Sequence, residues 1–371
     1  MHKIEEKLNL GKLATFEVNK KYPIYNWFYY KEGFSRELVM HLLHKFNVTN
    51  TKLVLDPFCG VGTTLLACKE AGINTIGFDS NPIAGFVSRA KLMEYNINEL
   101  KESTKHIFSL EPNNMKYKIK IPIMKDAFLK NTLKDVIFYK KKIKELDYEP
   151  RIFFTLALMN ATMRCSFVFK DGAVLKIKKR PLPKLKDEFK HQIKKMIKDL
   201  EKTNFKKTIH RIDERDSKSM DLDNNVVDAV ITSPPYLNKK EYTKIYFIEE
   251  ELFLNNKNKE FIEFGKTDST RVNKILNNFS INQEARQYFY DMYFVIREMH
   301  RVCKPSAKLA LIIGNGCFSE AVVESDIILS SIAEDIGFKI NGIECISKRW
   351  CTKERTKKVG IARESILYWE K

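Results

Sequence analysis

The chain has 371 residues, 44% of them hydrophobic, and 65 lysines and arginines against 47 acidic residues, for a formal net charge of +18. That size and apolar content bury a real core, in one large domain or two ordinary ones. No apolar run approaches membrane-spanning length and Met1–Lys7 lacks the apolar core of a signal peptide, so a soluble, cytoplasmic protein is expected.

In chain order, Tyr22 to Phe34 is aromatic and irregular, and Ser35 then caps a helix whose apolar residues recur at helical spacing through Phe46. Lys52-Leu53-Val54-Leu55-Asp56 reads as a short buried strand. It runs through Pro57-Phe58-Cys59-Gly60-Val61-Gly62-Thr63-Thr64 into an apolar helix ending near Gly72, and Asn74 to Asp79 is a second strand. Strand, glycine turn, helix and strand open a doubly wound parallel sheet. A long insertion follows, roughly 96–206, with a buried helix at Ile152–Met159, a stiff connector at Arg180–Lys184 and a basic helix from Asp187 to Lys202, read as solvated. The sheet resumes at Thr208–Asp213 and at the apolar run Val226–Ile231. Helices near 241–254 and 285–302 lead to a strand at Lys308–Asn315, and two strands near 339–347 and 363–369 close the chain.

The charge is not spread evenly. Residues 101–210 hold 28 lysines and arginines against 12 acidic residues, a net of +16, and all the rest of the chain carries only +2. A general lysine bias would be uniform, so the concentration points to a footprint for a polyanion, most simply nucleic acid. The seven cysteines (59, 68, 165, 303, 317, 345, 351) include no C-x-x-C pair and no histidine at metal-ligand spacing. They are expected to be reduced thiols, with no bound metal.

Two segments carry chemistry. A glycine turn between a parallel strand and a helix lets the backbone approach a ligand, and Asp79, 19 positions past Gly60, stands where a carboxylate reaches the ribose hydroxyls of an adenosine-type cofactor. The third glycine of dinucleotide enzymes is missing and Asp56 precedes the turn; a carboxylate there repels a pyrophosphate but binds an ammonium, which favours S-adenosylmethionine over NAD. The second segment is Thr232-Ser233-Pro234-Pro235-Tyr236, directly after the apolar strand. Two prolines there cannot continue a sheet and remove two N–H donors, leaving hydrogen-bond acceptors beside an aromatic face. Such a turn can grip an exocyclic amino group and its flat ring; the plainer reading is a strand-ending turn that exposes Tyr236.

Asp56-Pro57-Phe58-Cys59-Gly60-Val61-Gly62-Thr63-Thr64 together with Ser233-Pro234-Pro235-Tyr236 resembles the amino-group DNA methyltransferases, and the serine form of the tetrad resembles their N4-cytosine branch. Tyr30-Lys31-x-x-Phe34-Ser35 is similar to the motif that closes over the methionine end of the cofactor, and Arg215-Asp216-Ser217 to the motif whose acid touches the adenine. Leu237-Asn238 to Tyr242, Ile313–Gly316 and Arg363–Leu367 resemble further motifs, whereas Lys304–Ala307 departs from the Pro-Gly-Gly turn of many relatives. The resemblance implies an α/β, Rossmann-like S-adenosylmethionine-dependent methyltransferase fold: a mostly parallel seven-stranded sheet with a reversed C-terminal strand, plus a largely helical basic insertion. It divides the chain into 1–95 with the cofactor turn, the insertion 96–206 as target-recognition region, and 207–371 with the tetrad.

The expected site follows residue by residue. Ser233, Pro234, Pro235 and Tyr236 are the catalytic tetrad, with the Ser233 oxygen and Pro234 carbonyl holding the amino group and Tyr236 stacking on a flipped-out base. Tyr30, Phe34, Ser35, Asp56, Pro57, Phe58, Cys59, Gly60, Gly62, Thr63, Thr64, Asp79, Ser80, Asp216 and Ser233 are the cofactor-binding set. The reaction is methylation of cytosine N4 in DNA, expected to be double-stranded, with adenine N6 the nearest alternative because one side chain separates the branches. Structured RNA and a cofactor-binding DNA protein without catalysis are the other readings. A Pro-Cys dipeptide, which methylation at cytosine C5 uses, is absent. A separately acting restriction endonuclease is a possible partner, and the oligomeric state stays open. His210 and His300 are read as structural.

Overall fold

The computed structural model describes residues 3–110, 122–171, 174–237, 245–254, 269–279, 281–318, 321–353 and 357–371. Its strands are β1 (Ile4–Glu6), β2 (Leu53–Asp56), β3 (Asn74–Phe78), β4 (Val168–Asp171), β5 (Val174–Ile177) and β6 (His210–Asp213), followed by β7 (Val227–Thr232), β8 (Cys303–Gly314), β9 (Gly316–Cys317), β10 (Val322–Val323), β11 (Lys339–Lys353) and β12 (Lys357–Glu370). Eight of them form one sheet in the order β1-β11-β12-β8-β7-β2-β3-β6. From β8 to β6 every pairing is parallel, and β12 runs antiparallel to both its neighbours. The seven strands expected are all present with β12 as the reversed one. The eighth, β1, adds in parallel at the edge beside β11; three residues are too short for a periodic signal.

Strand alternation divides the core. Leu309, Leu311 and Ile313 of β8 face one apolar cluster with Leu55, Val230 and Leu367, while Ala310 and Ile312 face another with Val54, Ile231 and Ile366. The first cluster is closed by helices Gln283–Val302 and Ser325–Ile336, the latter not marked by the sequence reading. The second is closed by helix Arg36–Lys45, N-capped by Ser35 Oγ on the Leu38 N–H at 3.2 Å, and by helix Thr63–Ala71, which ends at Gly72 with φ 78°.

The basic insertion builds helices Ile97–Ser109, Lys130–Ile143, Tyr148–Arg164 and Leu185–Lys202, with β4 and β5 as a small hairpin. It is not a separate body: Leu100, Val136, Phe153 and Phe189 share one core with Trp27 and Leu38. The expectation of a solvated helix from Asp187 is corrected. Phe189, Ile193 and Met196 are buried at helical spacing beneath the lysines, and the buried Asp199 accepts from Trp27 Nε1 at 3.1 Å.

The cysteine expectation is also corrected. Cys317 and Cys351 form a disulfide with Cα atoms 5.7 Å apart, and the other five are buried free thiols. The pair is 34 residues apart in sequence, and they meet because β11, running in the same direction as β8 on the far side of β12, extends past the carboxyl end of β8. Where Lys304–Ala307 departs from the Pro-Gly-Gly pattern, Ser306 takes φ 66°, a conformation glycine adopts more readily. No helix among the described residues is long and apolar enough to cross a membrane. The expected extension Asn238–Tyr242 and the start of the helix near 241 lie outside the described residues.

Candidate active site

The sheet order reverses between β2 and β7: the chain builds outward to β3 and β6 on one side and to β8 on the other. A crevice opens at such a point beyond the carboxyl ends of the strands, because the flanking connections leave in opposite directions. Here it is a cavity of about 380 Å³. The turn after β2 contributes Phe58, Cys59, Gly60, Val61 and Thr63, the end of β3 Asp79, Ser80 and Asn81, and the turn after β7 Ser233 to Tyr236. The sequence reading of two separate turns is thus one site.

Gly60 and Gly62 take φ of 51° and 78°. Asp79 Oδ2 accepts from the Gly60 N–H at 2.8 Å and its Oδ1 from the Asn81 N–H at 2.8 Å, while Ser88 Oγ donates to the Gly60 carbonyl at 2.7 Å. Side chains from the next strand and helix therefore pin the turn open. At Gly62 an added Cβ would fall 2.8 Å from Ser88 Oγ. Gly62→Ala is expected to lower stability by about 1–3 kcal/mol, from the left-handed φ plus the displaced serine, seen as a lower Tm in thermal unfolding.

On the tetrad, Pro234 is buried, Pro235 exposed and Ser233 half-buried. The Tyr236 hydroxyl donates to Glu364 Oε1 at 2.7 Å, and its ring lies so close to Gly314 that a Cβ there would come within 2.8 Å of it. Glu364 was quoted within a motif without a role. Its role as Tyr236's anchor comes from the pairing of Glu364 with Gly314 across β12 and β8.

The other wall is aromatic. Tyr30 and Phe34 are buried and line the cavity, and Tyr246 stacks on Tyr30 with centroids 5.4 Å apart and planes 19° off parallel. Asp216 and Ser217 line it from the loop after β6, where Ser217 Oγ also donates to the Pro57 carbonyl. Glu32, Asn81 and Arg215 were not in the expected set. Asn81 had a readable signal, an Asn-Pro helix start, and it caps Pro82–Leu92 through the Ile83 N–H.

Five expected cofactor residues do not line the cavity: Ser35, Asp56, Pro57, Gly62 and Thr64. Ser35 caps its helix, and Thr64 Oγ1 donates to the Ile231 carbonyl at 3.4 Å. Asp56 is fully buried, accepting from Thr232 Oγ1 at 2.6 Å and from the Phe58 N–H at 3.1 Å. Through these bonds Asp56 ties the cofactor turn to the root of the tetrad. Burial pushes its carboxyl up to about 6, against the bonds from Thr232, Thr64 and Phe58 that favour the anion, with the charge of Asp79 adding to the rise. A folded value above the unfolded one means the native state holds the proton more tightly. The stability from this carboxyl is therefore present in acid and lost as pH rises through about 6. Asp56→Asn is accordingly expected to raise Tm at pH 8 relative to the parent and to leave the difference near zero at pH 4, checked by thermal melts across that range. His210 is pushed down to about 4 by burial and bonds Thr75 and Thr208 with its two ring nitrogens, a structural role.

The donor set suits S-adenosylmethionine. A glycine turn with open backbone at Gly60, where a Cβ would meet only the Tyr30 ring at 3.4 Å, leaves room for close approach. Two carboxylates, Asp79 and Asp216, stand on the side that would take an adenosine, and Tyr30, Phe34 and Phe58 give apolar walls. Among the described residues no group of three or more His, Cys, Asp or Glu could hold a metal.

Comparison with known proteins agrees. A family model described as DNA methylase, of the N6/N4 type, matches residues 7–84, the stretch holding β2, the glycine turn and β3. The Type II methyltransferase M.BsoBI of Geobacillus stearothermophilus is 28% identical over 460 residues, spanning 100% of this chain and 90% of that protein. M.AvaI of Nostoc sp. is 28% identical over 398 residues, spanning 90% of this chain and 82% of its own. A SAM-dependent methyltransferase from Aquifex aeolicus overlaps 89% of this chain and 88% of its own at 10% identity with a TM-score of 0.33, which adds nothing to the strand order. With its glycine turn, its acid after β3 and its Ser-Pro-Pro-Tyr turn around one cavity, and with relatives matching nearly end to end, the chain is similar throughout its length to the amino-group DNA methyltransferases, a family whose methyl donor is S-adenosylmethionine.

Proposed function

We propose that the protein methylates the N4 amino group of cytosine in duplex DNA, with Ser233 to Tyr236 receiving the flipped-out base. The carrying observation is that this turn lines the same cavity as the Gly60 turn and Asp79. S-adenosylmethionine, when bound, supplies an electrophilic methyl group; Asp79, Asp216 and the Gly60 turn hold its nucleoside and Tyr30 and Phe34 its methionine end. The chain's own task is to present the amine. Its lone pair is delocalised into the ring, and acceptors that hold its N–H bonds orient the nitrogen for in-line attack. Ser233 Oγ and the Pro234 carbonyl are those acceptors. Tyr236, held by Glu364, offers its ring to the base. The absence of N–H donors at Pro234 and Pro235 keeps the turn from competing for them.

Serine at the first tetrad position favours cytosine, and adenine N6 is the second reading. The insertion 96–206 reads as the target-recognition region, supported by its net +16 within 101–210. Within it, Arg180 is occupied by the Ser166 carbonyl at 3.1 Å and Lys179 lies over the Phe167 ring, so those two cations also hold the hairpin root. A separate endonuclease as biological partner fits the Type II naming of the relatives. The deciding experiment incubates the protein with labelled cofactor and unmethylated genomic DNA and identifies the modified nucleoside by mass spectrometry. N4-methylcytosine is expected; N6-methyladenine overturns the base, and label in RNA alone overturns the substrate class.

A further inference from the structure

The paired strands β11 and β12 do not stop at the sheet. Glu364 pairs with Gly314, the last residue of β8 and the floor under Tyr236. Residues Lys357–Arg363 of β12 precede Glu364 and pair with Lys348–Lys353 of β11. They therefore run past the catalytic end of β8, by about 20 Å at the ordinary rise per strand residue. The result is a two-stranded ribbon standing beside the cavity mouth.

One face of this ribbon is built in an unusual way for a free surface. Trp350 and Ile361 lie directly opposite one another and are 54% and 44% exposed. Lys358, paired with Thr352, shares this face and its Nζ sits 4.3 Å over the Trp350 ring, whereas Arg349 and Lys357, paired with Ala362 and Lys353, alternate to the other face. On the opposite face Cys351 is bonded to Cys317, and Gly360 packs so tightly under Val322 that a Cβ would come within 2.7 Å of it. The ribbon is thus fixed from behind and open in front. A flat aromatic and an aliphatic side chain with a lysine over the ring match a phosphate backbone and the edges it carries, and a two-stranded ribbon fits the major groove of B-DNA. A second copy of the same face is disfavoured, because it would set Lys358 against its own like charge.

We propose that the β11–β12 ribbon is a second DNA-gripping element, separate from the insertion, with Trp350, Ile361 and Lys358 contacting the duplex next to the flipped base. This rests on the reading of the substrate as DNA. The chain has three tryptophans, and Trp27 and Trp369 are only 2% and 1% exposed, so Trp350 reports on its own surroundings.

The test titrates the protein with sonicated genomic duplex. The intrinsic fluorescence is expected to quench and to become shielded from acrylamide, and Trp350→Phe is expected to remove most of that change. Combining Trp350→Ala and Lys358→Ala is expected to raise Kd for the duplex about fivefold and to flatten the slope of log Kd against log salt by about 1, with the affinity for S-adenosylmethionine unchanged. An unaltered Kd and salt slope overturns the proposal. So does a change in oligomeric mass in the variant without a change in DNA binding. Wild-type protein that binds duplex through Trp350 yet methylates no DNA counts against the function above and supports the ribbon.

Discussion

Ser233→Ala is expected to lower kcat for DNA methylation about 10²-fold while leaving the affinity for S-adenosylmethionine within about twofold of the parent. Ser233 stands at the end of β7, half-buried on the cavity wall, and is followed by two residues that have no N–H to offer. In the function proposed above, its oxygen and the Pro234 carbonyl are the acceptors that orient the target amine. An interaction that matters most when the nitrogen must point at the methyl group lowers kcat rather than substrate affinity. The turn itself survives the substitution, since Thr232 remains bonded to Asp56 and Tyr236 to Glu364. Single-turnover methylation alongside calorimetric titration of cofactor separates the outcomes. Full retention of turnover removes Ser233 from the mechanism, and loss of cofactor binding moves it to the cofactor half of the cavity.

Asp79→Ala is expected to weaken S-adenosylmethionine binding by about 10²-fold or more, and Asp79→Asn by clearly less. Two effects add. The carboxylate accepts from the Gly60 and Asn81 N–H groups at 2.8 Å each, so its removal leaves two backbone donors at the cavity wall without their acceptor, at about 1–3 kcal/mol for a buried group. The second is the lost hydrogen bonding to the cofactor's hydroxyls, charge-assisted and worth about 1.5–3 kcal/mol. Asparagine keeps one acceptor and the side chain's shape, so it preserves part of the first effect. The measurement is cofactor Kd by calorimetry, paired with a thermal melt. Equal affinity for the parent and Asp79→Ala would show that the cofactor sits elsewhere.

How far the sequence reached depended on whether the signal was local. The glycine turn was legible because φ values of 51° and 78° demand Gly60 and Gly62, and two prolines after an apolar strand permit little else. The buried helix of the insertion was legible as a continuous apolar run. The helix at Leu185–Lys202 was misread, because its six lysines outnumber its five buried apolar residues, Leu185, Phe189, Ile193, Met196 and Ile197. For Asp56 the sequence showed its place in the motif but not its bond to Thr232 or its position outside the cavity lining, which depend on strands 176 residues apart.

Sequence alone determined the fold class, the chemistry of the two turns and the location of the excess charge, because each follows from neighbouring residues: periodicity, backbone restriction and composition. Only the tertiary structure decided that the two turns share one cavity, that Glu364 holds Tyr236, that Cys317 meets Cys351, and that Trp350 stands exposed on a ribbon beside the site. Those contacts join residues from 34 to more than 150 positions apart, and they exist because parallel crossovers and one reversed strand set the register between distant segments. Strand register is a property of the assembled sheet, where one residue of slip would turn every side chain to the other face.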